Sequence, residues 1–322
     1  MNRQQAAVII VALVNLALIG LFPPYDYFAP VKGGIGALCA HVQRLLESHG
    51  GEVRLHAKVE EILHEHGRVT GVRLAGGETI AAPIVVSNLD PTTTFTRLLD
   101  ERVVPSELRE RVDAIDHRAA YVQIHFALDG LPEFVDEYAV INDGVLRANL
   151  GVFSSPEQMQ RDFEGCVRGE VSASPSFGFQ IPSVLDPSLA PEGKHAASAY
   201  AFYFPITGSR DEQNRRADVM ADRVVARIAQ MAPNFPELIN RRVVYPSYTF
   251  ELMFGATGGD FCHGLLQPEL MGPFRPGPRG WSDLPIPVDG LFLSSTGCHG
   301  GPGVTFIPGY NAGFAALDTF HG

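Results

Sequence analysis

The same α/β pattern occurs at both ends of the chain, and this recurrence limits the fold more than any other feature of the sequence. Residues 24–91 contain a glycine-opened helix, several short strands and a buried strand, and residues 285–322 contain a strand, a glycine-rich loop and a helix. Residues 92–284 have long connections that contain Pro and Gly. The recurrence predicts an α/β block at the two ends of the chain and a separate α+β domain between them.

Glycines divide the first α/β segment into its elements. Those of residues 33–36 open a helix with apolar residues at helical spacing, and those at 50 and 51 end it. Further glycines divide the next residues into a meander of about three strands. Residues 83–88 (PIVVSN) are predicted to form a buried strand that ends in a loop.

The middle segment is rich in aromatic residues. It shows helical patterns near 106–115 and 211–231, and strand patterns at 119–129, 176–183 and 195–205. Aromatic stripes in a sheet normally belong to a packed core. The alternative is an apolar wall that contacts a hydrophobic substrate. The residues concerned are Phe177, Phe179, Tyr200, Phe202, Tyr203 and Phe204.

Charge and cysteine content narrow the possible functions. The chain has 25 Lys and Arg against 36 Asp and Glu, which gives a formal net charge of −11. Because phosphate binding needs a basic face, this balance argues against a nucleic-acid partner.

The 4 cysteines contain no C-x-x-C pair and do not make a disulfide framework. A reducing compartment, and hence a cytoplasmic location, is predicted.

Residues 6–22 form an apolar run that carries no charge and includes Asn15 as its polar residue. The run is close to the lower limit for a membrane-spanning helix, which needs roughly 20 residues. One interpretation is a segment that inserts into a membrane and anchors residues 1–23 there. The alternatives are a signal peptide, although no clear A-x-A cleavage site follows, and a buried helix or strand.

The segment STGCHGGPGV (295–304) raises three chemical interpretations. It places Cys298 beside His299, and residues 262–263 form a second Cys-His pair, so the two pairs could bind zinc. Structural zinc ligands are usually separated by two or more residues, however, and adjacent side chains diverge. A catalytic thiol at Cys298 would need a nearby base, and an adjacent His normally faces away. These considerations disfavour both interpretations, and no metal site is predicted.

The third interpretation is a nucleotide site. A dinucleotide-binding G-x-G-x-x-G motif should follow the first strand of a Rossmann unit, and it is absent. No G-x-S-x-G motif of a serine hydrolase occurs either. A strand, a glycine loop and a helix nevertheless offer backbone N–H groups and a helix N-terminus to a ligand.

Several segments together resemble one protein family. They are GGIGALCAHVQRLLESHGGEVRLHAKVEEIL, GRVTGVRLAGGETIAAPIVVSNLDP, IPSVLDPSLAPEGKHAASAYAFYFP, TGGDFCHGLL and PVDGLFLSSTGCHGGPGVTFIPGYNAG. From about Gly33 to its end, the chain resembles the C-terminal portion of the phytoene desaturase-like FAD-dependent oxidoreductases, which include carotenoid desaturases and retinol saturase. It is most similar to the branch named for a pyridine nucleotide–disulfide oxidoreductase domain.

The resemblance implies a flavoprotein with two domains. Residues 24–91 and 285–322 would form a partial, Rossmann-like FAD-binding domain, and residues 92–284 would form an inserted substrate domain. The implied reaction is hydride transfer between flavin and an apolar substrate, polyene or lipid-like, and no acid or base is assigned. Glycines would let the backbone approach the flavin ring. The positions implied to contact FAD are Val59, Asn88, Gly297, Cys298, His299, Gly301, Gly303 and Val304.

Two features depart from the family. The loop carries Cys298, Gly300 and Pro302 where relatives often have threonine, proline and glycine. The family's first βαβ unit should precede Gly33, where this chain has the apolar run 6–22. The chain is therefore interpreted as an oxidoreductase whose N-terminal FAD-binding unit is missing, either truncated or working beside a partner chain. The alternative is a non-catalytic, membrane-tethered remnant that binds a lipophilic ligand or a partner.

Overall fold

The computed structural model describes residues 31–266, 270–277, 286–303 and 305–321. The chain divides into two compact units. The first unit contains Arg54–His117 and Phe250–Gly322, and the second contains Arg118–Thr249 with the described residues 31–53. The units thus divide near residues 117 and 249, whereas the sequence predicts domain boundaries near 92 and 285. The assignment of FAD-binding and substrate roles to two domains stays a prediction.

The helices and strands follow the predicted order, with several additions in the second unit. The strands are β1 Val59–Glu65, β2 Arg68–Leu74, β3 Thr79–Ala81, β4 Val85–Ser87, β5 Ala119–Leu128, β6 Asn149–Val152, β7 Phe177–Gln180, β8 His195–Pro205, β9 Ile239–Tyr245 and β10 Leu291–Leu293. The helices are α1 Ile35–Ser48, α2 Pro91–Thr93, α3 Ser106–Asp113, α4 Pro156–Val167, α5 Arg210–Met231, α6 Phe235–Leu238, α7 Ser247–Phe254 and α8 Ile307–His321.

The first unit contains an antiparallel meander and a small parallel sheet. β1, β2 and β3 are hydrogen-bonded in that order, which confirms the predicted meander. β10 lies parallel to β4, with Leu291 opposite Val85 and Leu293 opposite Ser87. The carboxyl ends of both strands therefore lie at the same edge of the sheet. The buried side chains around these strands include Ile62, Val69, Phe95, Leu108, Leu291 and Leu293.

The strand that the sequence predicts as buried at residues 83–88 is buried only in part. It forms β4, in which Ser87 is buried but Val86 is 45% exposed. Among the described strands, β4 has β10 as its hydrogen-bonded neighbour and no other. Parallel sheets are normally covered on both faces, and two strands alone do not provide that cover. The expectation of full burial is therefore wrong for Val86.

The second unit is built on a five-stranded antiparallel sheet with the order β6-β7-β8-β5-β9. β5 and β8 form the long central pair, in which Tyr121 lies opposite Phe202. The structure confirms the strands predicted at 119–129, 176–183 and 195–205. β7 ends early, at Gln180, because Pro182 begins a short 3-10 turn and has no N–H to donate to a sheet.

The two faces of this sheet differ in burial. Alternate residues of β5, β7 and β8 point to one face, where α5 packs against them. The residues between them point to the opposite face. The buried core on the α5 side includes Val122, Ile124, Phe126, Phe177, Phe179, Ala199, Ala201, Phe204, Met220, Val224 and Ile228.

Helix α1 confirms the helix predicted between the glycine clusters, but it contains no buried residue. Its N-terminal end is held by Asp186, whose Oδ2 accepts a hydrogen bond from the backbone N–H of Gly33 at 2.6 Å. The other oxygen accepts from the hydroxyl of Ser188 at 2.6 Å. These bonds, with that of Ser188 the larger cause, lower the pKa of the Asp186 carboxyl from its ordinary value. The contact therefore depends on an ionised carboxylate.

We expect Asp186→Asn to release the start of α1, because a neutral amide accepts the Gly33 N–H more weakly than a carboxylate does. In the wild type the contact should be complete above the ordinary carboxyl pKa of about 4. It should be lost as the pH falls through the lowered pKa of the folded state. Hydrogen exchange of the peptide 31–48 measures both effects. Asp143→Asn changes an exposed carboxylate of the same unit and is the control; equal exchange in the two variants would contradict the assignment.

Candidate functional site

A glycine-rich loop, residues 294–306, connects β10 to α8. The backbone N–H of Ser294 donates to the carbonyl oxygen of Ser87 at 2.9 Å, so the loop begins beside the end of β4. Asn88 follows directly and is exposed. The structure therefore brings Asn88 and the start of the glycine loop to the same edge of the parallel sheet. Ligands of open α/β sheets bind at this carboxyl edge.

Two positions of the loop require glycine, one because of a close contact and the other because of its backbone conformation. A Cβ at Gly301 would clash with the carbonyl oxygen of Thr296. Gly300 has a φ of 95°, a conformation that side chains disfavour. The N–H of Gly301 donates to the carbonyl oxygen of Cys298 at 3.0 Å, which closes a tight turn. The glycines thus fold the loop back on itself before α8 begins.

Cys298 and His299 have different environments. Cys298 is 1% exposed and packs in the core with Leu291 and Leu293, and burial raises the pKa of its thiol to about 11. A thiol of this kind stays protonated and is not a nucleophile at neutral pH. The backbone N–H of His299 donates to the carbonyl oxygen of Pro276 at 2.7 Å. Its ring nitrogen Nδ1 is buried and has no hydrogen-bond partner among the described residues.

The other predicted contact residues are distributed over the first unit. Val59 is the first residue of β1 and pairs with Leu74. Gly303 is exposed and has a φ of 134°. Val304 lies outside the residues that the structure describes, as does the apolar run 6–22. The roles of all these residues at FAD stay predictions.

A buried arginine, which the sequence analysis did not identify, supports the loop. Arg275 is 1% exposed, and its guanidinium donates to backbone carbonyls of Thr296 at 3.0 Å and of Cys262 at 2.8 Å. It also reaches the carbonyls of Leu270 at 2.7 Å and Gly264 at 3.3 Å. Burial lowers the pKa of Arg275, but an arginine remains charged in proteins. This cation joins the glycine loop to the turn at residues 260–264.

A buried carboxylate holds the segment that follows β4. Asp90 is fully buried, and its oxygens accept from the N–H and the hydroxyl of Thr93 at 2.7 and 3.0 Å. They also accept from the N–H and the hydroxyl of Thr257 at 3.1 and 2.9 Å. The sequence identified this region only as a loop. The Asp-Pro pair that begins α2 is a helix-start signal that could have indicated the carboxylate.

Neither a metal centre nor a spanning helix is found in the described parts of the chain. No group of three His, Cys, Asp or Glu residues there is placed to hold a metal ion, so the zinc interpretation gains no support. In the same residues, no helix is both long and apolar enough to cross a membrane.

The second unit carries aromatic side chains on the sheet face opposite its core. Tyr200 and Phe202 alternate with buried residues of β8, and their ring centroids lie 5.3 Å apart. Phe153 stacks on Phe202 at 6.1 Å and is 59% exposed. Gly178 lies beneath Tyr200, where a Cβ would clash with the phenol ring. This aromatic face, defined by Phe153, Tyr200 and Phe202, is a candidate apolar surface for a ligand.

Comparison with known proteins gives a family. The profile of the family described as flavin containing amine oxidoreductase matches residues 4–316. Pyridine nucleotide-disulfide oxidoreductase domain-containing protein 2 of Rattus norvegicus is 31% identical over 289 residues, which cover 88% of this chain and 50% of that protein. A phytoene desaturase (neurosporene-forming) of Cereibacter sphaeroides is 27% identical over 288 residues, 86% of this chain and 51% of that protein. The chain thus spans about half the length of the curated relatives it matches.

A solved structure agrees at the level of the fold. An oxidoreductase from Methanosarcina mazei aligns with a TM-score of 0.55 and 16% identity, over 89% of this chain and 55% of that one. At this identity the similarity concerns the fold alone. The two curated relatives confirm the resemblance to phytoene desaturases and to the pyridine nucleotide–disulfide oxidoreductase branch. With a profile match that extends over most of its length, the chain belongs to the flavin containing amine oxidoreductase family.

Proposed function

We propose that this chain forms part of an FAD-dependent oxidoreductase that transfers hydride between flavin and an apolar substrate. The observation that carries the proposal is the glycine loop at the carboxyl edge of β4 and β10, directly before α8. A helix N-terminus at such an edge favours anionic groups. Family membership supports a flavin as the ligand.

The residues of the loop fit a flavin nucleotide. Gly303 carries no side chain that would keep a flat ligand from the backbone, and the Nδ1 of His299 has no hydrogen-bond partner among the described residues. The missing side chain of Gly301 makes room for the carbonyl oxygen of Thr296, so Gly301 would offer FAD its backbone alone. Asn88 adds an exposed amide at the same edge. We infer that these residues and Gly297 would hold FAD, while Cys298 would contribute only its backbone because its thiol lies in the core.

In the proposed reaction, FAD and the residues of this chain have different roles. When bound, FAD supplies the centre that accepts or donates hydride. The N-terminus of α8 would stabilise negative charge on a reduced flavin. Val59, whose family position implies a backbone contact to the adenine of FAD, belongs to the same proposal.

An apolar substrate, polyene or lipid-like, is the second part of the proposal. The aromatic face of the second unit supports it, because stacked rings offer a large apolar surface with few hydrogen-bonding groups. A relative of this chain is named phytoene desaturase, which also favours a polyene.

The proposal requires a second polypeptide segment that contacts the phosphates of FAD. The sequence contains no G-x-G-x-x-G motif, and the chain spans about half the length of its relatives. We infer that a partner chain, or a further part of the same protein, supplies the phosphate-binding glycines. The affinity of this chain alone for FAD should therefore be moderate.

We expect the purified chain to bind FAD with a Kd of about 1–100 μM, because the loop provides only part of the contacts. Quenching of flavin fluorescence and the shift of its visible spectrum measure the binding. A titration with heat-denatured protein is the control for non-specific quenching. An unchanged spectrum at about 1 mM FAD would contradict the proposal and favour a non-catalytic remnant.

A further inference from the structure

The turn at residues 260–264, which lies against the glycine loop, has its backbone groups unusually well satisfied. Asp260 is 4% exposed, and its oxygens accept from the N–H of Cys262 at 2.9 Å and of Gly264 at 2.7 Å. Arg275 donates to the carbonyls of the same two residues. A carboxylate and a guanidinium therefore fix this turn through both its N–H and its C=O groups.

His263, between those two residues, donates its backbone N–H to the carbonyl oxygen of Asp260 at 3.2 Å, but its conformation and its side chain are less favourable. Its φ is 53°, in the left-handed region that costs a residue with a side chain about 1 kcal/mol or more. Its ring nitrogen Nδ1 is buried and has no hydrogen-bond partner among the described residues. A buried polar atom without a partner is unfavourable in a folded protein. The turn thus holds one strained residue with one unsatisfied nitrogen.

The position of His263 connects it to the glycine loop. A Cβ at Gly297 would lie 2.8 Å from the Cβ of His263 and 2.9 Å from Cδ of Pro91, so glycine at 297 makes room for this histidine. Burial is the main cause that lowers the pKa of His263, against the opposing effect of Asp90 and Asp260. His117 and Arg275 lower it further, so the ring is neutral at neutral pH.

We propose that His263 contacts the cofactor: its Nδ1 hydrogen-bonds an oxygen of FAD, a hydroxyl or a phosphate oxygen between the two ring systems. The inference rests on the proposed function, since it takes FAD as the occupant of the glycine loop. It accounts for two observations together. The strain is tolerated because the fixed turn holds the imidazole beside Gly297, and the unsatisfied nitrogen finds its partner in the ligand. If the residue served packing alone, asparagine or glycine would occupy this backbone conformation at lower cost.

Two variants of His263 separate contact from packing. His263→Phe keeps a ring and removes the nitrogen, and His263→Asn suits the left-handed backbone but is too short to reach the same point. We expect both to raise the Kd for FAD at least 10-fold, the effect of one lost hydrogen bond to a ligand. His263→Asn should do so without a lower melting temperature. FAD fluorescence and thermal unfolding without FAD are the two measurements.

His66→Asn is the matched control, because His66 has a φ of 50° but is exposed in the turn between β1 and β2. It should leave FAD affinity unchanged. If the wild type binds FAD and both His263 variants bind it equally well, this inference alone is overturned. A loss of affinity only in proportion to lost thermal stability also overturns it. If the wild type binds no FAD, the proposed function falls, and the inference falls with it.

Discussion

Replacing Arg275 by methionine is expected to destabilise the first unit by about 3–5 kcal/mol, the largest effect on stability predicted for this chain. The guanidinium donates to the carbonyls of Leu270, Cys262, Thr296 and Gly264, and methionine offers no donor to any of them. Buried carbonyl groups that lose their partners keep the cost of their desolvation. Urea unfolding followed by circular dichroism measures the free energy of unfolding.

Two further variants make this test specific. Arg275→Lys keeps the charge but cannot reach several carbonyls with one ammonium group, so we expect an intermediate loss. Arg102→Met removes an exposed guanidinium that pairs with Asp100 within its own loop, and its unfolding midpoint should stay that of the wild type. Equal midpoints for Arg275→Met and Arg102→Met would show that the buried guanidinium does not hold the glycine loop to its neighbouring turn.

Gly303→Val is expected to reduce FAD affinity at least 100-fold, the largest effect on ligand binding. In the proposed site, Gly303 lies where the backbone approaches the flavin ring, and a valine side chain would occupy the space of that ring. Gly303 is exposed, so its replacement does not disrupt a buried core. The measurement is an FAD titration followed by flavin fluorescence, with far-UV circular dichroism to verify the fold.

Backbone strain needs a separate control, because Gly303 has a φ of 134°. Gly76 has a φ of 97°, and a Cβ there would meet no atom within 4 Å. Gly76→Val therefore carries comparable strain at a site away from the glycine loop. If both variants lose FAD to the same extent, the effect arises from strain, and the placement of Gly303 at the flavin is wrong.

Much of the secondary structure could be predicted because its signals are local. Glycine clusters bound α1, the meander and the loop before α8, and the structure confirms these elements. Other elements lack such signals. In β9, Arg241 and Arg242 follow one another, and this interrupts the alternation of apolar and polar residues that would indicate a strand. The strand is recognised only in the structure, through its pairing with β5.

The aromatic residues of the second unit show why the two interpretations of their role could not be separated beforehand. Phe177, Phe179 and Phe204 lie in the core, whereas Tyr200 and Phe202 lie on the opposite face of the same sheet. The interpretation as a packed core therefore holds for some of these aromatic residues, and the interpretation as an apolar wall for a substrate stays a prediction for the others. Alternation along a strand assigns residues to two faces, but it does not tell which face a helix will cover.

The sequence by itself determined the family, the order of most elements and the glycine loop, because these depend on motifs and on patterns between near neighbours. Only the tertiary structure brought Asp90 to Thr257, and Arg275 and His263 to the loop at 296–297. These contacts join separate segments. Asp90 also caps its own helix through Thr93, which the sequence could have indicated, but the contacts to Thr257 and to the loop at 296–297 have no local signal. The roles of these residues follow from burial, since a polar group withdrawn from water must find its hydrogen bonds wherever the packed chain places them.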